Sequence, residues 1–135
     1  NYDGDYLNFI DVGLSFLGNT EEFDEELFAL ITAISGSGPA WFYELSNQLV
    51  KSATKLGMNE NDATNLIKGL IKALPNLINE DDTFDELVNK VKSPKGTTEA
   101  GLNSLIVDNF DNIIFNAIRQ ATNRSIEIST ELKNE

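Results

Sequence analysis

The stretch Asn59–Asn79, NENDATNLIKGLIKALPNLIN, decides the reading of this chain. Ala63, Leu66, Ile67, Leu70, Ile71, Leu74, Leu77 and Ile78 recur three and four residues apart, which places them on one side of a helix. Asn59 stands where a side chain can accept from the free N–H groups of the first turn. Pro75 falls inside the pattern; lacking an N–H, and with its ring against the preceding turn, it should kink the helix or end it early.

Working outward, Gly57 ends an upstream helix expected from about Pro39 to Leu56, with Trp41, Leu45, Leu49, Ala53 and Leu56 on one face. The corner Ser35-Gly36-Ser37-Gly38-Pro39 precedes it: Gly36 can end one helix, Ser37 can cap the next, and Pro39 suits a first turn. Before the corner, Asp24 should cap a helix to about Ile34, with Glu25 and Glu26 near the positive end of its dipole and Leu27, Leu30, Ile31 and Ile34 as its stripe. A short helix is expected over about Asp5–Leu17, closing at Gly18, with Asn19–Phe23 as a connector. Downstream, Thr83 and Glu86 match a capping box and open a short helix to about Lys92. Ser93-Pro94-Lys95-Gly96 breaks it, and Thr97 and Thr98 begin another through Ala100, Leu102, Leu105 and Ile106. The last helix is expected from about Asn109 to Leu132, with Phe110, Ile113, Ile114, Ala117, Ile118, Ala121, Ile128 and Leu132 turned inward.

No segment reads as a central strand, so the fold class is all-α, a bundle of about five to six helices. These helices are unusually apolar for a 135-residue chain. A long apolar helix that its own chain cannot cover is usually covered by another, which predicts an interlocked homodimer rather than a monomeric bundle.

Composition removes several classes of function. The formal net charge is −12, and all ten basic residues lie from Lys51 onward, which argues against a nucleic-acid partner. The acids before Lys51 read as a solvated face. No cysteine and no histidine are present, which excludes disulfides, zinc thiolates, a cysteine nucleophile and an imidazole base. The lack of cysteine fits a cytoplasmic protein. No apolar run approaches the roughly 18–20 residues of a membrane span, so no membrane partner is expected. The acids Glu80, Asp81 and Asp82 read as a solvated turn, and no metal site is expected. A chain that opens on Asn1 rather than Met reads as an excised or processed piece.

Two glycine-containing breaks carry the chemistry. Ser35–Ala40 superficially resembles a phosphate-binding loop, but it lacks the third glycine and follows a helix rather than a strand; the plainer reading is a tight helix corner. In Ser93-Pro94-Lys95-Gly96-Thr97-Thr98, hydroxyls and free N–H groups meet at a helix start, near Lys90, Lys92 and Lys95. That is a place for a small carboxylate or phosphate, unless Thr97 or Thr98 merely caps the helix.

Together the two breaks resemble a known family. Ile31-Thr32-Ala33-Ile34-Ser35-Gly36-Ser37-Gly38-Pro39-Ala40 is similar to the segment that opens the C-terminal domain of pyrroline-5-carboxylate reductases. Val91–Leu102 resembles that family's signature, roughly V-x-S-P-G-G-T-T-x-A-G-L, and Ala117–Ser125 resembles its last helix. The resemblance runs from about Asp24 to Ser129. It implies that residues 24–135 are a helical dimerisation and substrate-binding domain, and that residues 1–23 are the tail of a nucleotide-binding domain and a connector. It implies a homodimer, with dimers able to associate further, and the reduction of pyrroline-5-carboxylate to proline at the last step of proline biosynthesis. The hydride would come from NADPH or NADH held by an N-terminal domain, so this piece alone should bind no cofactor and reduce nothing. By resemblance, Ser93, Gly96 and Thr97 bind the substrate carboxylate, and Thr98, the catalytic residue, hydrogen-bonds the ring nitrogen. Ser35, Gly36, Ser37, Gly38 and Pro39 face the nicotinamide, and an acid around Asp81 sits at the mouth of the partner's site. Lys95 departs from the pattern by replacing the first glycine of the usual pair. It is strained if that position needs positive φ, or else it adds charge toward the carboxylate. A non-catalytic helical module related to the family, and an unrelated acidic interaction protein, are the other readings at this level.

Overall fold

A computed structural model describes residues 14, 21–79 and 81–133. Every regular element among them is helical, as the periodicity requires. The expected helix over Asp5–Leu17 lies outside the described residues, Leu14 excepted.

The first helix is composite. A 3-10 turn at Glu25–Leu27 leads into α1 (Phe28–Ile31), which widens into a π turn at Thr32–Gly36. Asp24 stands at the expected start, but its side chain makes no capping bond. The corner also differs from expectation. Ser37 keeps a right-handed helical backbone (φ −91°, ψ −17°) and its hydroxyl caps nothing, so α2 (Gly38–Lys55) follows after a single turn residue. The helical turn does stop at Gly36, and Pro39 does fall in the first turn of α2; the unexpected feature is that the last turn before the stop is a π turn.

Gly57 does end α2. Its φ is +102°, its N–H reaches the carbonyl of Thr54 at 3.0 Å, and the Met58 N–H reaches that of Ala53 at 3.0 Å. This pairing of the last carbonyls needs a left-handed residue. Asn59 then caps α3 (Glu60–Ala73), its side-chain oxygen accepting from the N–H groups of Asn61 (2.9 Å) and Asp62 (3.4 Å). Pro75 acts as expected: the α-helix stops at Ala73 and a 3-10 turn, Leu74–Leu77, replaces its last part. Thr83 and Glu86 close the capping box on α4 (Phe84–Val91), with Thr83 N–H to Glu86 Oε2 at 2.8 Å and Glu86 N–H to Thr83 Oγ1 at 3.3 Å. Asp82 fixes the approach to it by accepting from both nitrogens of Asn79 and from Lys90. α5 (Thr97–Val107) and α6 (Phe110–Lys133) complete the chain. At 24 residues, α6 is about 36 Å long.

The helices pack sparsely. α2 lies on α3, and α1 with its π turn lies on α6. Ala33 and Ala63 are the buried apolar residues, and Gly38 is buried with them. The predicted stripes are correct as faces of their helices, but most of their residues remain exposed in the chain. Leu45 and Leu49 on α2, Leu56 just past its end, Leu66, Leu70 and Ile71 on α3, and Ile113, Ile114, Ile128 and Leu132 on α6 are exposed, Leu56 by 90%. Phe84 on α4 is exposed by 80%. Side chains of this kind each gain about 1.5–3 kcal/mol when covered, so the chain by itself forgoes most of its hydrophobic stabilisation.

A Cβ at Gly57 would meet no atom within 4 Å, so Gly57→Ala carries only the cost of the left-handed backbone. We expect a loss of about 1 kcal/mol, read from denaturant midpoints at one fixed protein concentration.

Candidate functional site

The loop before α5 is built from its turn outward. Pro94 fixes the second position of a four-residue turn that closes with the Gly96 N–H on the Ser93 carbonyl at 3.0 Å. Lys95 occupies the third position with φ +59°, so the site does require the conformation that glycine adopts without strain. Gly96 is needed for space rather than for φ. It is the N-cap of α5 at φ −86°, and a Cβ there would lie 2.2 Å from Ser93 Oγ and 3.0 Å from the Ser93 carbonyl oxygen. Any larger residue at 96 displaces Ser93.

Thr97 and Thr98 are the first two residues of α5, and neither caps it. The first helical bond joins the Ala100 N–H to the Gly96 carbonyl at 3.2 Å, which leaves the N–H groups of Thr97, Thr98 and Glu99 ahead of the ladder. Among the described residues, the hydroxyls of Ser93, Thr97 and Thr98 make no hydrogen bond to the chain; Thr98 is half-buried, and Ser93 and Thr97 are exposed. The loop thus offers hydroxyls and backbone N–H groups, the donor set that suits a carboxylate.

Sequence reasoning gave no role to Glu99, which holds this loop. Its Oε2 accepts from the Lys95 N–H at 2.8 Å, and its Oε1 lies 3.5 Å from Lys92 Nζ. The Lys95 N–H, and after it Lys92, hold the Glu99 carboxyl below its ordinary range. A glutamate at the third helical position was the available signal, since a carboxylate there commonly turns back to a backbone N–H before the helix.

The Ser35–Pro39 corner lies elsewhere in the chain. Ser35 is tied up, its hydroxyl donating to the Ile31 carbonyl at 2.8 Å, and Thr32 does the same to Phe28 at 2.9 Å. Gly38 is buried, while Gly36 and Pro39 are exposed. Ser37 lines a groove of about 900 Å³ between the first helix and α6, together with Thr32, Ala33, Ala121, Arg124 and Ser125. No residue of Ser93–Thr98 lines that groove. Arg124 on its wall pairs with Glu127 and Glu131, both at 2.9 Å. The corner and the loop are therefore two separate local arrangements, and no groove described in the chain joins them. No group of three or more acidic side chains among the described residues is arranged to hold a metal, and no helix there is long and apolar enough to cross a membrane.

An all-helical chain with uncovered apolar faces and an open, hydroxyl-rich loop is, by class, an association domain. The family model for pyrroline-5-carboxylate reductase dimerisation matches residues 25–128, and the chain belongs to that family. A pyrroline-5-carboxylate reductase of Staphylococcus epidermidis is 34% identical over 130 residues, covering 96% of this chain and 48% of the relative. That of Staphylococcus haemolyticus is 37% identical over 113 residues, covering 83% and 42%. Among solved structures, a pyrroline-5-carboxylate reductase from Coxiella burnetii matches with a TM-score of 0.82 at 27% identity, covering 93% of this chain and 47% of its own. The Plasmodium falciparum pyrroline carboxylate reductase, solved with NADP bound, matches at 0.76 and 28%, covering 93% and 48%. The chain spans about half the length of the curated relatives it matches.

A depressed carboxyl stabilises the fold above the ordinary carboxylate range, and that contribution disappears as pH falls through the lowered value. Glu99 should therefore titrate below an unpaired glutamate, and the Lys95 amide should shift with the same midpoint. NMR titration of the side-chain carboxyl reads this directly; a midpoint at or above the ordinary glutamate value would contradict the contact.

Proposed function

We propose that this chain is the subunit-pairing and substrate-binding half of a pyrroline-5-carboxylate reductase. In this reading Ser93, Gly96 and Thr97 bind the carboxylate of pyrroline-5-carboxylate, and the Thr98 hydroxyl hydrogen-bonds the ring nitrogen. The observation that carries it is the open start of α5, where three hydroxyls without a partner among the described residues stand beside N–H groups that no carbonyl of the helix reaches. A protonated cyclic imine is already electrophilic at the C=N carbon, so the protein's work is to orient it and fix its carboxylate. That suits a chain with neither histidine nor cysteine.

A nicotinamide cofactor, NADPH or NADH, would supply the hydride when bound. The corner Ser35–Pro39 fits the neighbourhood of its ring and not of its phosphates. It is built of small residues, and Arg124 on the wall of the adjoining groove is already paired with Glu127 and Glu131. In this reading phosphate binding belongs to the nucleotide-binding domain, whose tail and connector we assign to residues 1–23.

We assign the uncovered faces of α2, α3 and α6 to a second copy of the chain, as an interlocked homodimer whose dimers can assemble further, in the cytoplasm. The exposed apolar residues support this, as does the name of the family model. In this reading an acid around Asp81 stands at the mouth of the partner's site; its neighbour Asp82 accepts hydrogen bonds from Asn79 and Lys90.

The test is a reductase assay of the full gene product with pyrroline-5-carboxylate and NADPH. Thr98→Ala should lower kcat/KM by about 10- to 100-fold, the scale of one hydrogen bond to a charged group. An undiminished kcat/KM would remove Thr98 from the mechanism. For the pairing, thermal midpoints should rise with protein concentration, because each tenfold dilution of a folded dimer costs about 1.4 kcal/mol. A concentration-independent midpoint and a monomer in sedimentation would end that part of the proposal.

A further inference from the structure

The loop contains an apparent contradiction. A place for a ligand carboxylate carries its own carboxylate, Glu99, in the first turn of the same helix. It also carries a lysine where the backbone is left-handed, a conformation that crowds the Cβ of an L-residue. The two oddities touch. One oxygen of Glu99 takes the Lys95 N–H and the other faces Lys92, so its charge is engaged from both sides of Pro94. Lys95, by contrast, is exposed and makes no ion pair among the described residues.

We infer that Glu99 is a positioning residue for this loop: its carboxylate clamps the turn in which Lys95 takes the backbone conformation of a glycine, and so holds Ser93, Thr97 and Thr98 in place for the ligand. The inference rests on the reading of the loop as the substrate-carboxylate site. Glycine needs no clamp, because nothing strains it at φ +59°. A lysine there relaxes toward a right-handed backbone once its N–H is released. Such a change rotates the Ser93–Gly96 turn, and Gly96 has no slack to absorb it, since Ser93 Oγ already lies where a Cβ would be. The clamp also accounts for the acid itself: a glutamate bound to the Lys95 N–H and faced by Lys92 repels a ligand carboxylate less than a free one.

The inference predicts a dependence between positions 99 and 95 that no purely structural role of Glu99 produces. In the full enzyme, Glu99→Ala should raise the KM for pyrroline-5-carboxylate by about tenfold, the scale of one charge-assisted hydrogen bond, with kcat changed less than twofold. In a Lys95→Gly background the same substitution should raise KM by less than about twofold, because the turn no longer needs holding; this is a double-mutant cycle read in KM. Glu99→Gln keeps an acceptor for the Lys95 N–H and loses the pairing with Lys92, so its effect should fall between. An equal rise in both backgrounds overturns the clamp, as does a Glu99→Gln enzyme no better than Glu99→Ala. If Glu99→Ala leaves KM unchanged while Thr98→Ala still lowers kcat/KM, the clamp fails and the site reading stands. If Thr98→Ala is harmless, the site reading fails instead. Should Glu99→Ala not assemble, the cycle is run with Glu99→Gln.

Discussion

The structure depends on apolar faces that the chain does not cover itself. α2, α3 and α6 each carry a well-formed stripe, yet among apolar residues only Ala33 and Ala63 are buried within the described chain. A helix usually draws most of its stability from packing rather than propensity. Here tertiary contact is thin, and local chemistry sets the clearest boundaries: the left-handed Gly57, the Asn59 cap, the Thr83–Glu86 capping box and the proline at 75. These devices fix where helices start and stop, and the open faces define what a partner has to match.

That division explains what the sequence made legible. Helix limits at Gly57, Asn59, Pro75 and Thr83 could be read because each rests on the chemistry of one or two residues. The stripes could be read because 3.6-residue periodicity survives whether or not a face is covered. The inside of the single chain could not be read, because periodicity says which side is apolar and not which molecule lies on it; Ile113, Ile128 and Leu132, assigned inward, remain exposed. The corner was legible in position: the helical turn ends at Gly36, Ser37 stands at the start of α2, and Pro39 falls in its first turn. The π form of that last turn, and the missing capping bond of Ser37, were not legible, because π hydrogen bonding leaves no residue signature comparable to a cap.

The candidate site shows the same split. The donors of Ser93–Thr98 follow from residue types at a helix start, and the resemblance to the reductase signature supplied their roles. The contact that holds them, Glu99 on the Lys95 N–H, depends on a backbone angle, and angles are not written in residue types. The corner and the loop lie on different parts of the chain, and the groove beside the corner contains no loop residue. Their joint use in one active site is therefore a property of the assembled enzyme we propose, supplied by what surrounds this chain.

The π turn at Thr32–Gly36 has a consequence for how this chain can vary. Such a turn accommodates one residue more than a regular turn of α-helix, and each residue advances a helix by about 100°. The corner thus carries, in effect, a one-residue insertion in the last turn before the single turn residue Ser37. Substitutions within it leave that count intact. A single-residue deletion between Thr32 and Gly36 removes it, turns the π turn into an α turn, and swings α2 about the helix axis, taking Trp41 and the buried Gly38 off their present faces. At this corner the number of residues constrains the protein more tightly than their identity.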